Sequence, residues 1–154
     1  MPVNPIPEGY HSVTAYLIVD GANAAIEFYK KAFGAVELVR MDGPGGRIAH
    51  AEVRIGDSPV MLADESPDYL ARGPQYYKGS PVHLMIYTED CDETFRRAVE
   101  AGATVSRPLK DQFYGDRSGT IVDPFGHMWT IATHKEDVSP EEMSRRMNAA
   151  DGHE

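Results

Sequence analysis

Apolar and polar positions along the chain follow two periods in turn. From Ser12 to Val19 the residues are apolar toward both faces and rich in β-branched side chains, which predicts a buried strand. Ala22, Ala25, Ile26, Tyr29, Ala32 and Phe33 then recur at spacings of three and four, the stripe of an amphipathic helix. Asp20 precedes the stripe as a cap or turn residue, and Gly34 follows it where a left-handed C-terminal residue is wanted. Ala35 to Met41 predicts a second strand, Arg47 to Ile55 a third with clean alternation, and Pro59 to Ala63 a fourth. The turns between them are Asp42-Gly-Pro-Gly-Gly and Gly56-Asp57-Ser58.

The same order then returns. Val82 to Thr88 predicts a strand. Asp92 to Ala101 predicts a helix, with Phe95, Ala98 and Val99 on one side and Asp90 and Glu93 spaced as a capping box. Gly102 closes it, and Thr104 to Leu109, Arg117 to Asp123 and His127 to Thr133 supply three more strands. Gly34-Ala35-Val36 and Gly102-Ala103-Thr104 mark equivalent points 68 residues apart. A repeat of that size is a duplicated module, each copy too small to bury its sheet alone. The fold class expected is therefore α+β: two βαβββ modules forming curved mixed sheets around a shared cleft, with helices outside. One domain spans 1–154, with module one at about 10–65, a linker at about 66–80, module two at about 81–135 and a C-terminal helix at about 139–149. Ser139-Pro140-Glu141-Glu142 opens that helix with a cap, an N1 proline and an acidic first turn, and it packs outside or on a partner chain. The linker carries three tyrosines, which suit it to cover a pocket, although a plain connection fits as well.

Composition narrows the partners. A net charge of −9, with no Lys or Arg cluster longer than a pair, argues against nucleic acid. No apolar run approaches the roughly 20 residues of a membrane helix, so no membrane partner is expected. The N-terminus lacks a basic region and an apolar core of the signal-peptide kind, and the expected compartment is the cytoplasm. The single cysteine, Cys91, excludes an intrachain disulfide and a cysteine-based zinc site.

Three segments, Ala25-Ile-Glu-Phe-Tyr-Lys-Lys-Ala-Phe-Gly34, His50-Ala-Glu-Val-Arg-Ile-Gly-Asp57 and Asp123-Pro-Phe-Gly-His127, together resemble one known family. It is the PhnB-like branch of the vicinal-oxygen-chelate (glyoxalase/bleomycin-resistance/dioxygenase) superfamily. The resemblance covers about residues 5–146 and specifies the fold far more tightly than the reaction, since that superfamily includes lyases, isomerases, dioxygenases, thiol transferases and antibiotic-binding proteins. Some relatives carry a name implying demethylubiquinone methylation. The one glycine-rich stretch here, Gly43-Pro-Gly-Gly46, lies between two strands and reads as a hairpin turn.

The resemblance implies four metal-ligand positions, on the first and last strand of each repeat, where a divalent ion acts as a Lewis acid on vicinal oxygens. His83 matches one. The others fall on Thr130, on Val13 to Ala15 and on Met61 or Leu62, so the standard site is expected to be absent and no cofactor is assigned. A relocated divalent-metal site remains open. Alternation on the third strand puts Ala49, Ala51, Val53 and Ile55 under a helix and Ile48, His50, Glu52 and Arg54 on the other face. His50, Glu52 and His83 are then weak metal candidates of the His₂-carboxylate kind. The plainer alternative makes His50 a hydrogen-bonded wall residue and Glu52 and Arg54 solvated.

Met85 and Tyr87 share the face of His83, and Tyr114 sits in a loop able to gate a cavity or stack on an aromatic ligand. The ligand-binding residues expected are thus His50, Glu52, His83, Met85, Tyr87, Tyr114 and Thr130. His127 reads as a hydrogen-bonding strand starter, His134 as exposed and Trp129 as core. No catalytic residue is assigned. The balance favours binding of a small, aromatic-type molecule in a cleft by a homodimer, with modules paired within a chain or across it. The alternative is a metal-dependent glyoxalase-type lyase or isomerase using the relocated site.

Overall fold

A computed structural model describes residues 2–151. Module one runs β1 (Tyr16–Val19), α1 (Ala22–Phe33), β2 (Val36–Asp42), β3 (Ile48–Ile55) and β4 (Ser58–Asp64). A short helix, α2 (Pro74–Tyr77), lies in the linker. Module two runs β5 (His83–Tyr87), α3 (Cys91–Glu100), β6 (Thr104–Asp111), β7 (Asp116–Val122) and β8 (Met128–His134), followed by α4 (Pro140–Asp151). The strand orders β1-β4-β3-β2 and β5-β8-β7-β6 are the same order twice, so the duplication read from the sequence is the architecture. In each sheet the first strand lies parallel to the last and the remaining pairs are antiparallel.

The core is one cluster drawn from both modules. Ile26 and Tyr29 of α1, Val53 of β3, Leu62 of β4, Ala98 of α3, and Trp129 and Ile131 of β8 belong to it. Helices α1 and α3 each cover one face of their own sheet and also pack on each other. Gly34 ends α1 at φ 66°, and the Asp90 carboxylate accepts the Glu93 amide at 3.1 Å, so both terminal signals act as expected. Asp20 does not cap α1. The Gly21 and Ala22 amides donate instead to Asp64 at the end of β4, each at 2.8 Å.

Two strand predictions need correction. The first strand starts at Tyr16 rather than Ser12. The Met61 amide donates to the Ala15 carbonyl at 2.9 Å, and the next donor along this parallel ladder falls on Pro59, which has no N–H. On β3 an irregularity at Met41/Asp42 leaves Ala49 unpaired, which flips the alternation. Ile48 turns into the core at 2% exposure, and Ala49 is exposed.

Candidate functional site

From Ala51 onward β3 alternates as its sequence demands. Ala51 and Val53 are fully buried beneath α1, and His50, Glu52 and Arg54 point to the opposite, open face. Tyr16 of β1 lies opposite Met61, which lies opposite Glu52, while Met41 of β2 lies opposite His50. Four side chains on this face form a continuous chain of hydrogen bonds. The Tyr16 hydroxyl is 2.8 Å from His50 Nδ1, and His50 Nε2 is 3.0 Å from Glu52 Oε2. The Tyr10 hydroxyl donates to Glu52 Oε1.

The electrostatics assign the protons. Hydrogen bonds from Tyr10 and then His50 hold the Glu52 carboxyl below its ordinary range. Being ionised, it accepts, so in the neutral tautomer that these contacts select Nε2 of His50 faces Glu52 as donor and Nδ1 accepts from Tyr16. The bond to Glu52 pushes the Tyr10 phenol up; burial, and then the Glu52 charge, do the same for Tyr16. Both phenols are therefore neutral donors near neutral pH.

Beside this chain opens a cavity of about 510 Å³. Ile18, Ala49 and Ala63 line it with small or apolar surface, Arg47 stands on its wall, and Tyr16 and Tyr69 supply aromatic rings. Tyr69 belongs to a linker turn closed by the Ser66–Ala71 bridge, and its side chain is 86% exposed at the cavity mouth. Of the three linker tyrosines Tyr69 lines this cavity, with Ser66 and Ala71 beside it. A second groove, of about 750 Å³, runs between the modules, with Val13, Phe33 and Pro59 on one side and Met85, Tyr87 and Trp129 on the other.

His83, Met85, Tyr87 and Thr130 share the open face of the second sheet. Met85 and Tyr87 are 46% and 61% exposed. The Thr130 hydroxyl is 2.9 Å from that of Thr120, and the Tyr87 hydroxyl donates to Asp116 at 3.0 Å. That bond, then burial, the Asp116 charge and lastly Tyr114 nearby, raise the Tyr87 phenol. Tyr114 also packs edge-on against Phe113 with ring centres 5.2 Å apart.

The structure therefore divides the expected site. His50 and Glu52 touch on the first sheet, whereas His83 sits on the free edge strand of the second. Among the described residues no three His, Cys, Asp or Glu side chains gather as a metal-binding group, so the His50–Glu52–His83 set is not assembled within one chain. Of the positions the resemblance implied, His83 lies opposite Met128, Thr130 is hydrogen-bonded to Thr120, and Met61 lies opposite Tyr16. A thioether and a threonine hydroxyl held by Thr120 do not fit a hard cation.

Sequence reasoning missed Tyr10 and Tyr16. Tyr16 was legible in principle, because it alternates with the buried Leu17 on the face that His50 occupies. Tyr10 lies in a proline-rich lead with no period to orient it. His127 behaves as a strand starter that also reaches β1, its Nε2 donating to the Ile18 carbonyl at 2.9 Å. Trp129 is core at 2% exposure, and the Pro44–Gly46 turn joins two strands, as its sequence predicted.

Residues 10–131 match the family model of the Glyoxalase/Bleomycin resistance protein/Dioxygenase superfamily, and the chain belongs to that superfamily. An uncharacterized protein of Mycobacterium bovis is 41% identical over 141 residues, 90% of this chain and 93% of that protein. The anthracycline biosynthesis protein DnrV of Streptomyces peucetius is 32% identical over 120 residues, 78% of this chain and 40% of that protein. The solved structure of the PhnB protein of Bacillus cereus superposes with a TM-score of 0.59 at 18% identity, covering 80% of this chain and 99% of that one.

Proposed function

We propose that the protein binds a small aromatic molecule against the open face of its first sheet, as a homodimer in which a second copy closes the cleft. The observation that carries this reading is the cavity itself, where Tyr16 and an almost fully exposed Tyr69 flank small apolar residues. Aromatic rings bury much area with little loss of freedom and suit flat ligands. The name of the Streptomyces peucetius relative, whose product class is polycyclic and aromatic, points the same way.

The dimer rests on apolar exposure. Val36, Val39 and Met41 on the first sheet are 47%, 37% and 56% exposed, and Met85 and Tyr87 stand open on the second. The edges of β1 and β5 have no strand partner among the described residues. Open apolar faces and free edges of this kind mark association surfaces. A chain whose one cysteine is buried needs no oxidising compartment, which suits the cytoplasm.

A second reading, metal-dependent lyase or isomerase chemistry, draws on the touching His50–Glu52 pair, with the third ligand supplied by His83 of a second copy. A thermal-shift screen of small aromatic compounds on wild type and Tyr69→Ala tests the binding reading. A stabilising compound whose effect shrinks in the variant is expected, and equal shifts in both would remove Tyr69 from the site. Metal analysis of tag-free protein separates the second reading, since stoichiometric metal lost in His83→Ala would replace the first.

A further inference from the structure

The proton arrangement beside the cavity goes further than binding. We propose that Tyr16, His50 and Glu52 form a metal-independent proton relay that ionises the hydroxyl of a phenol-class ligand held in the Tyr16–Tyr69 cavity. The inference rests on the placement of the ligand in that cavity.

Glu52 is the starting observation. Its side chain is only 13% exposed, yet among the described residues its ion-pair partner is His50, with no Lys or Arg upon it. A carboxylate kept for stability alone is better served by a fixed cation or by backbone amides. Asp64, a few residues away in the same sheet, shows that solution, with three amides and Arg47 around it. Glu52 instead holds an imidazole and a phenol, two groups that carry exchangeable protons.

The geometry then runs outward. Glu52 fixes His50 with Nε2–H inward and Nδ1 bare, and Nδ1 accepts the Tyr16 O–H at 2.8 Å. With its hydrogen engaged there, the Tyr16 oxygen offers lone pairs to the cavity that its ring lines. A ligand hydroxyl donating to that oxygen completes a line for two concerted transfers. The ligand proton moves to Tyr16 oxygen, and the proton of Tyr16 moves to His50 Nδ1. The ligand oxygen is left as an anion and His50 as an imidazolium between Tyr16 and the Glu52 carboxylate, while Tyr16 ends neutral. No electron pair leaves the system, and no oxidant or metal is needed. Arg47 on the cavity wall is engaged by Asp20 and Asp64, each at 3.2 Å, and Glu65 lines the same cavity, so the charge that balances the ligand anion is the His50 imidazolium itself. Tyr10 holds the other Glu52 oxygen, and Met41 is the uncharged neighbour of His50 from β2.

Tyr16 is the group that touches the ligand, and His50 and Glu52 act through it. The probe is 4-nitrophenol, whose anion alone absorbs in the visible, at a pH where the free compound is mostly protonated. Excess protein should raise the phenolate band. Tyr16→Phe, which removes one oxygen from a half-exposed ring, and His50→Gln should each return the band to the level of free probe while equilibrium dialysis still shows binding. Tyr69→Ala should weaken binding itself. A phenolate band that persists in Tyr16→Phe and His50→Gln overturns the relay. A probe that binds wild type but remains neutral overturns it too, leaving the binding reading intact. Absence of binding also counts against the relay, and the aromatic screen then decides the binding reading alone.

Discussion

Tyr29 on α1 donates its hydroxyl to Asp123 Oδ2 at 2.7 Å, tying module one to the turn before β8 across 94 residues of sequence. The same oxygen accepts from Trp129 Nε1 at 2.9 Å, and Oδ1 accepts the Phe125 and His127 amides at 2.9 and 3.0 Å. Four donors thus satisfy a carboxylate that is 3% exposed. The modules are joined by the Tyr29–Asp123 bond as well as through their apolar cluster.

Removing the Tyr29 hydroxyl should therefore cost more than its size suggests. Tyr29→Phe leaves a buried acceptor short of a donor, a loss of about 1–3 kcal/mol. Asp123→Ala strands four donors and should cost more. Urea unfolding of the two variants gives the order, and equal stabilities would show that the contact is incidental.

Asp64 makes an acid-side prediction. Burial pushes its carboxyl up, but the amides of Ile48, Ala22 and Gly21, with Arg47, outweigh that and leave it lowered. A lowered folded-state pKa gives stability that is present above the unfolded value of about 3.9 and lost as pH falls through the folded value. Asp64→Ala should cost about 1–2 kcal/mol at neutral pH for the lost cap of α1. Its stability should then fall less steeply below pH 4 than that of wild type. Parallel acid profiles would detach Asp64 from the effect.

His134 predicts the opposite slope. Its imidazole lies 2.7 Å from Asp137 and 2.7 Å from Asp116, and these two contacts, in that order, raise its pKa. A raised folded-state value gives stability that is complete below the unfolded pKa of about 6.5 and lost as pH rises through the folded one. His134→Gln should flatten thermal midpoints between mildly acidic and mildly alkaline pH. An unchanged profile would show that the two aspartates do not hold the ring.

The duplicated module, the helix stripes and the side of β3 that carries His50 and Glu52 were all legible, because each depends on periods the backbone enforces. What sequence could not show was decided at single residues. Pro59 withholds one N–H and shortens β1, and unpaired Ala49 turns Ile48 into the core. Asp64 replaces Asp20 as the cap from 43 residues away. The candidate site was half legible for the same reason. Alternation names a face but not which faces meet, so His83 was grouped with His50 although the chain places them on different sheets.

That separation leads to the last prediction. A single chain leaves Met85 46% and Tyr87 61% exposed on an edge strand, and Val39 and Met41 exposed on the first sheet. Burying such side chains contributes about 25 cal/mol per Å² of apolar area, so several together favour pairing of copies. A charge on β5 would have to be desolvated on association, which costs far more than it costs an isolated chain. Met85→Glu should therefore shift the sedimentation coefficient from dimer to monomer at concentrations where wild type is dimeric, with far-ultraviolet circular dichroism unchanged. Tyr87→Phe, which keeps the ring and removes only the bond to Asp116, should leave the dimer in place. A monomeric wild type would overturn the dimer, and a Met85→Glu variant that stays dimeric would put the association surface elsewhere.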